Sequence, residues 1–250
     1  MSHHEEIDRA VLLARKAAAG GRIDDPAKLT RLLYRHWFLG RRPLASVPSQ
    51  RRPQPTTVRP DRPGSTTGST QPWRSWGRLW TDDRPCRGAD LVRLYLSCAP
   101  HTSLHAVAAV TEAARDWDHP WLLTSRALHQ AAPGPDATVL YLPVAALDEL
   151  REPVEELLGS VRPFLASTVP ALTLEIARGA ALAQNPADGR SFGVHRCSVV
   201  AGTVLASRQL HHREVIQRTF SALREAGVDP ERPYRALGAR WQWDAGVRAA

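Results

Sequence analysis

The feature that most constrains this chain is a thirty-residue stretch, Pro43 to Pro72, that cannot fold on its own account. It is built from Pro, Ser, Thr, Arg and Gly, and its few aliphatic side chains cannot bury enough surface to offset the entropy of ordering. It reads as a disordered, basic linker. The chain therefore divides into a helical N-terminal segment (1–42), this insert (43–72) and a folding region from 73 to 250 that must carry most of the core.

The flanking segments have clear periodicities. Ile7, Val11, Leu12 and Ala18 predict a helix from Glu5 to Ala19, stopped by Gly20-Gly21. Pro26, behind Asp24-Asp25, opens a second helix whose apolar face carries Leu29, Leu32, Leu33 and Trp37 and which ends at Gly40. Past the insert, Trp73, Trp76 and Trp80 suggest a strand pair with an aromatic face. Leu91 to Cys98 alternates strictly: Val92, Leu94 and Leu96 face one way, Arg93, Tyr95 and Ser97 the other. The latter face is either a functional surface or the solvent side of an edge strand.

A helix over Thr102–Ala114 is expected to bury Leu104, Val107, Ala108, Val110 and Thr111. Strands are expected at Trp121–Leu128, Thr138–Leu142 and Leu172–Ala177. A helix over Val144–Leu158 is interrupted by Pro153, and helices follow from about Val194 to Arg208 and from His212 to Ala226. Helices and strands mix without βαβ regularity, which predicts an α+β fold: an antiparallel or mixed sheet flanked by helices, with a helical N-terminal segment.

Composition narrows the function. Thirty-three basic residues against 25 acidic give a formal charge of +8, and only Lys16 and Lys28 are lysines. Arginine forks suit phosphate and carboxylate, so an acidic or phosphorylated partner is expected. The arginines are scattered and no nucleic-acid motif accompanies them, so nucleic acid is not the expected partner. Three cysteines, Cys86, Cys98 and Cys197, are too far apart for a Cys-x-x-Cys metal site. No membrane span or apolar signal core is visible, which predicts a cytoplasmic protein. Neither a metal nor an organic cofactor is expected, for no phosphate loop or metalloprotease motif occurs.

One dense polar constellation stands out. Ser191 to Cys197 (SFGVHRC) puts His195 and Arg196 just after a glycine turn at a helix start, where free amides favour anions. His195 can move a proton near neutral pH. The same residues also suit a simple capping turn.

Several segments together carry a family likeness: Leu33 to Gly40 (LYRHWFLG), Arg93-Leu-Tyr95, Asp136 to Tyr141, Pro170 to Thr173, Gly179 to Pro186 and Ser191 to Cys197. In order and spacing they resemble the Hop-A family of type III effector-related proteins, over most of the chain outside the insert. That resemblance implies a phospho-Ser/Thr lyase of actinobacterial ribosomal-peptide pathways, such as those of thioamitides and class V lanthipeptides. It implies two partners, a precursor peptide and an aminoglycoside-phosphotransferase-like kinase. The kinase would phosphorylate Ser or Thr, and this chain would eliminate the phosphate to leave a dehydroamino acid.

On that reading Arg93, Arg126 and Arg196 bind phosphate, His195 transfers a proton, Tyr95 or Tyr141 orients the peptide and Asp136 orients an arginine. The chain departs from the pattern in two places. No lysine stands near Thr124 or Ser125, where phosphothreonine lyases lead one to expect the base, and Gly134-Pro135 replaces an arginine before Asp136. Either another base such as His195 or His101 acts, or the chain is a binding module that grips the peptide or the kinase. Deleting Pro43–Pro72 is expected to leave the melting temperature unchanged; a large fall would show that the insert is part of the fold.

Overall fold

The computed structural model describes residues 2–40, 74–78, 90–98, 101–126, 134–241 and 243. The insert, Cys86, Trp73 and Trp80 lie outside them. Helix α1 (His3–Ala18) starts at a capping box in which Ser2 and Glu5 satisfy each other's amides. Helix α2 (Pro26–Leu33) is capped by Asp25, with proline in its first turn. It continues into one wide π-helical turn, Tyr34–Phe38, where the Leu39 amide reaches the Tyr34 carbonyl five residues back. Such turns recur at functional sites.

Six strands form one sheet in the order β1-β3-β4-β2-β6-β5. They are β1 (Arg74–Arg78), β2 (Leu91–Leu96), β3 (Trp121–Ser125), β4 (Thr138–Pro143), β5 (Leu174–Ala177) and β6 (Ala180–Gln184), and every pairing is antiparallel. Helices α3 (Ser103–Ala113), α4 (Arg151–Val161), α5 (Phe192–Ala206) and α6 (His212–Glu225) complete the α+β fold. Helices α1, α2, α5 and α6 pack together, while α3 packs on α4 and against β3. None of the described helices is long and apolar enough to cross a membrane.

Strand register explains what each sheet face does. Trp76, Leu123, Leu140, Leu94, Leu182 and Leu174 are Cα partners in one row across all six strands. The four central leucines are fully buried. The neighbouring rows point the other way: Leu122, Tyr141, Arg93 and Ala183 in one, Thr124, Val139, Tyr95 and Ala181 in the other. Tyr95 there meets Phe192 of α5, with ring centroids 6.5 Å apart. One face thus carries the aliphatic core, and the other carries polar and aromatic groups against the α2–α5 layer.

Several expectations are corrected. Strand β2 lies in the sheet interior between β4 and β6, so Arg93 and Tyr95 are not the solvent side of an edge strand. The Val144–Leu158 helix is a short 3-10 turn, Val144–Ala146, followed by α4. Pro153 sits in the first turn of α4, where its missing N–H would have had no partner in any case. Leu12 on α1 and Leu104 and Ala108 on α3 are exposed, and Ser103 and Ala106 take the buried side of α3 with Val107 and Val110. Strand β6 was not anticipated. Its run AALAQ is buried throughout, so no alternation marks it. Leu94→Ala, at the centre of the leucine row, is expected to cost about 2–5 kcal/mol in denaturant unfolding.

Candidate functional site

A pocket of about 360 Å³ opens where the polar sheet face meets the head of α5, a size that suits a small ligand or one modified side chain. Its lining comes from the π turn (Tyr34), from β2 and β4 (Arg93, Tyr95, Val139, Tyr141), from Asp136 before β4, and from Gly189, Ser191 and Gly193 around the start of α5.

Arg93 is the cation of this lining. Its guanidinium stacks 5.1 Å from the centre of the Tyr141 ring and its Nε donates to the Asn185 side-chain oxygen. Burial pushes the neighbouring Tyr95 hydroxyl above the ordinary phenol range even against the lowering charge of Arg93. These partners hold the fork in place beside the pocket, the condition under which an arginine binds a phosphate specifically. Ser191 caps α5 by accepting the Val194 N–H at 3.4 Å, so the positive end of a fifteen-residue helix faces the same space.

Asp136 is the anion. Its Oδ1 accepts Arg126 at 2.6 Å across the β3–β4 connection, and its Oδ2 accepts the Tyr34 hydroxyl. Burial raises the Tyr34 hydroxyl well above its ordinary range, and Asp136 adds to this, so Tyr34 stays a phenol. A chain of rings seats it: Tyr34 stacks on Phe38 at 5.1 Å, and Phe38 meets Phe192 at 6.0 Å. Gly193 permits this contact, since a Cβ there would stand 2.4 Å from the Phe38 ring.

Of the seven residues singled out in the sequence, Arg93, Tyr95, Asp136 and Tyr141 converge in this lining, and Arg126 reaches it through Asp136. His195 and Arg196 are not part of the lining. Arg196 is 2% exposed; it donates to the Pro233 carbonyl at 3.0 Å and to His195 Nδ1 at 2.7 Å, with its guanidinium carbon 4.6 Å from the Phe192 ring centre. Burial pulls its proton affinity down to about 9, so it remains a cation that fastens α5 to the C-terminal loop. His195 is pushed down to about 4 by burial and then by the Arg196 charge, with Asp188 at 3.7 Å pulling the other way. It is neutral at physiological pH. Asp188 itself is held below the usual carboxylate range by Arg190, which outweighs a burial penalty.

His101 is exposed ahead of α3, and Lys16 and Lys28 are exposed on α1 and α2, so none of the three lines the pocket. Among the described residues no group of three His, Cys, Asp or Glu side chains comes together as metal ligands do. Sequence reasoning missed Tyr34. It falls within the aromatic segment LYRHWFLG, but its bond to Asp136 spans 102 residues and no local signal announces it.

An α+β protein with an open antiparallel sheet, presenting an arginine and two tyrosines to a helix N-terminus, is the class that this fold and pocket define. The chain belongs to the HopA1 effector protein family, which matches residues 79–235. Among solved structures it is similar to an effector protein from Pseudomonas syringae pv. tomato strain DC3000, at 20% identity over 60% of this chain and 58% of that one, with a TM-score of 0.45. It is also similar to an effector protein from Pseudomonas syringae pv. syringae strain 61, at 18% identity over 63% and 60%, with a TM-score of 0.46. The chain spans about three-fifths of the length of these two structures. No curated protein matches it at a significant level.

Neutral, buried His195 has a consequence for stability. Its folded-state pKa lies below its ordinary 6.5, so between 6.5 and about 4 the unfolded chain binds a proton that the folded chain refuses. Stability is therefore lost as pH falls through that window. Thermal melts from about pH 7 to about pH 4.5 are expected to show a falling midpoint. The slope should be shallower in His195→Gln, which keeps an acceptor for Arg196; an unchanged slope would mean that other groups carry it.

Proposed function

We propose that this protein is a phospho-Ser/Thr lyase. Its substrate is a ribosomally made precursor peptide, phosphorylated beforehand by an aminoglycoside-phosphotransferase-like kinase that works with it in the cytoplasm. The observation that carries the reading is the convergence of Arg93, Tyr95, Tyr141 and Asp136 with the capped start of α5 in one pocket. Elimination places a phosphate dianion as leaving group, and a fixed arginine with helix amides answers that charge as it develops. Two tyrosine rings and the wall of the sheet suit the peptide backbone on either side. Family membership supports the same reading without deciding the chemistry.

One observation favours a second reading, a phosphopeptide-binding module without chemistry: neither a lysine nor a histidine lines the pocket, and His195 is buried and neutral. Mass spectrometry of a phosphothreonine precursor peptide, incubated with the protein alone and with the kinase, separates the two. Loss of phosphoric acid is expected. A phosphopeptide that binds but keeps its mass in both mixtures would leave the binding module. Arg93→Ala is expected to weaken binding of the phosphorylated peptide by about 1.5–3 kcal/mol relative to its unphosphorylated form, as removal of a charge-assisted contact should. Equal weakening of both forms would take phosphate away from Arg93.

A further inference from the structure

Elimination needs a group that removes the Cα proton, and the lining of this pocket offers few. Ser191 spends its hydroxyl oxygen on the Val194 amide. Tyr95 is almost fully buried with its hydroxyl under the charge of Arg93, and Tyr141 lies with its ring against the same guanidinium. Both oxygens of Asp136 are engaged, one by Arg126 and one by Tyr34. Tyr34 differs from the rest. Its hydroxyl donates its hydrogen to Asp136, which leaves its own lone pairs as acceptors, and the residue lines the pocket. The direction of that hydrogen bond is the one a proton relay requires.

We propose that Tyr34, backed by Asp136, is the base of this site, an inference that rests on the lyase reading above. The Cα–H bond of the phosphorylated residue breaks and its proton goes to Tyr34 Oη, while the proton already on Tyr34 passes to Asp136 Oδ2. The electron pair left on Cα forms the Cα=Cβ double bond, the Cβ–O bond breaks, and phosphate departs with that bond's electrons towards Arg93 and the α5 amides. The products are a dehydroalanine or dehydrobutyrine residue, phosphate, and a protonated Asp136, which returns its proton through Tyr34 to phosphate or water. Arg126 holds Asp136 in line for the transfer and is a positioning residue. Tyr34 lies outside residues 79–235, so the N-terminal helical segment supplies part of the chemistry and is more than a packing element.

The test uses the full chain and a synthetic phosphothreonine peptide carrying hydrogen or deuterium at Cα. Tyr34→Phe keeps the ring stacked on Phe38 and removes only the hydroxyl. It is expected to eliminate at least about 100-fold more slowly than wild type, within the range for loss of a general base. It should bind the phosphopeptide as wild type does and show a larger deuterium effect, because proton removal then limits the rate alone. Asp136→Asn, which cannot take up the relayed proton, should behave in the same way and serves if Tyr34→Phe does not fold. A Tyr34→Phe protein with the wild-type rate, or one whose loss of rate follows an equal loss of binding, overturns the assignment. A wild-type protein that leaves the peptide intact with and without kinase overturns the lyase reading itself, and the two failures are told apart by the wild-type lane.

Discussion

Phe38 lies against Gly193 with no room for a Cβ between them, and the pocket depends on that contact. The phenylalanine ends a π-helical turn continuing α2, and the glycine belongs to the first turn of α5. With a side chain at 193 the ring would be displaced and, with it, the stacked ring of Tyr34. Because Tyr34 donates to Asp136 and Asp136 accepts Arg126, one missing methyl group fixes the relative position of three elements: the N-terminal segment, the β3–β4 connection and the start of α5. The wide π turn belongs to the same arrangement, since it carries both Phe38 and Tyr34, whose rings stack, and Tyr34 lines the pocket.

The electrostatics separate two kinds of arginine. Arg93 is half-buried and its partners are neutral: two phenols and an amide. Its charge therefore stays available to an anion entering the pocket. Arg196 is fully buried and satisfied by a carbonyl, a neutral imidazole and a ring face, so its guanidinium cannot turn to a ligand without breaking the seat of α5. His195 is kept neutral by the same burial and serves as the acceptor Arg196 needs. The pair that looked most catalytic in sequence is thus employed in holding the helix whose N-terminus faces the pocket.

Much of this was legible in the chain. The alternation in LVRLYLSC separates an aliphatic face from one bearing Arg93, Tyr95 and Ser97, and leaves open whether the second is a functional surface or the solvent side of an edge strand. Arg93 and Tyr95 of that face, with Asp136 and Tyr141, meet in the pocket. What stayed hidden is long-range. Nothing near Tyr34 announces a partner 102 residues away, and nothing in SFGVHRC distinguishes a helix start that points at a ligand from one whose fourth and fifth residues, His195 and Arg196, are turned inward. Strand β6 was hidden for a different reason: a strand buried on both faces has no period to detect.

The leucine row and the site are consequences of one register. Leu94 is packed between Leu140 and Leu182, and its neighbours Arg93 and Tyr95 must then face the pocket, because successive side chains in a strand point to opposite faces. A slip of one residue in β2 would put an arginine and a tyrosine into the aliphatic layer and leucines against Phe192. The free energy that forbids that slip is the burial of the leucines, so the hydrophobic core itself aims the guanidinium and the phenol. Tyr34 has no such enforcement from the sheet. Its aim comes from rings stacked on a glycine, and its place in the site therefore rests on the packing of α2 against α5.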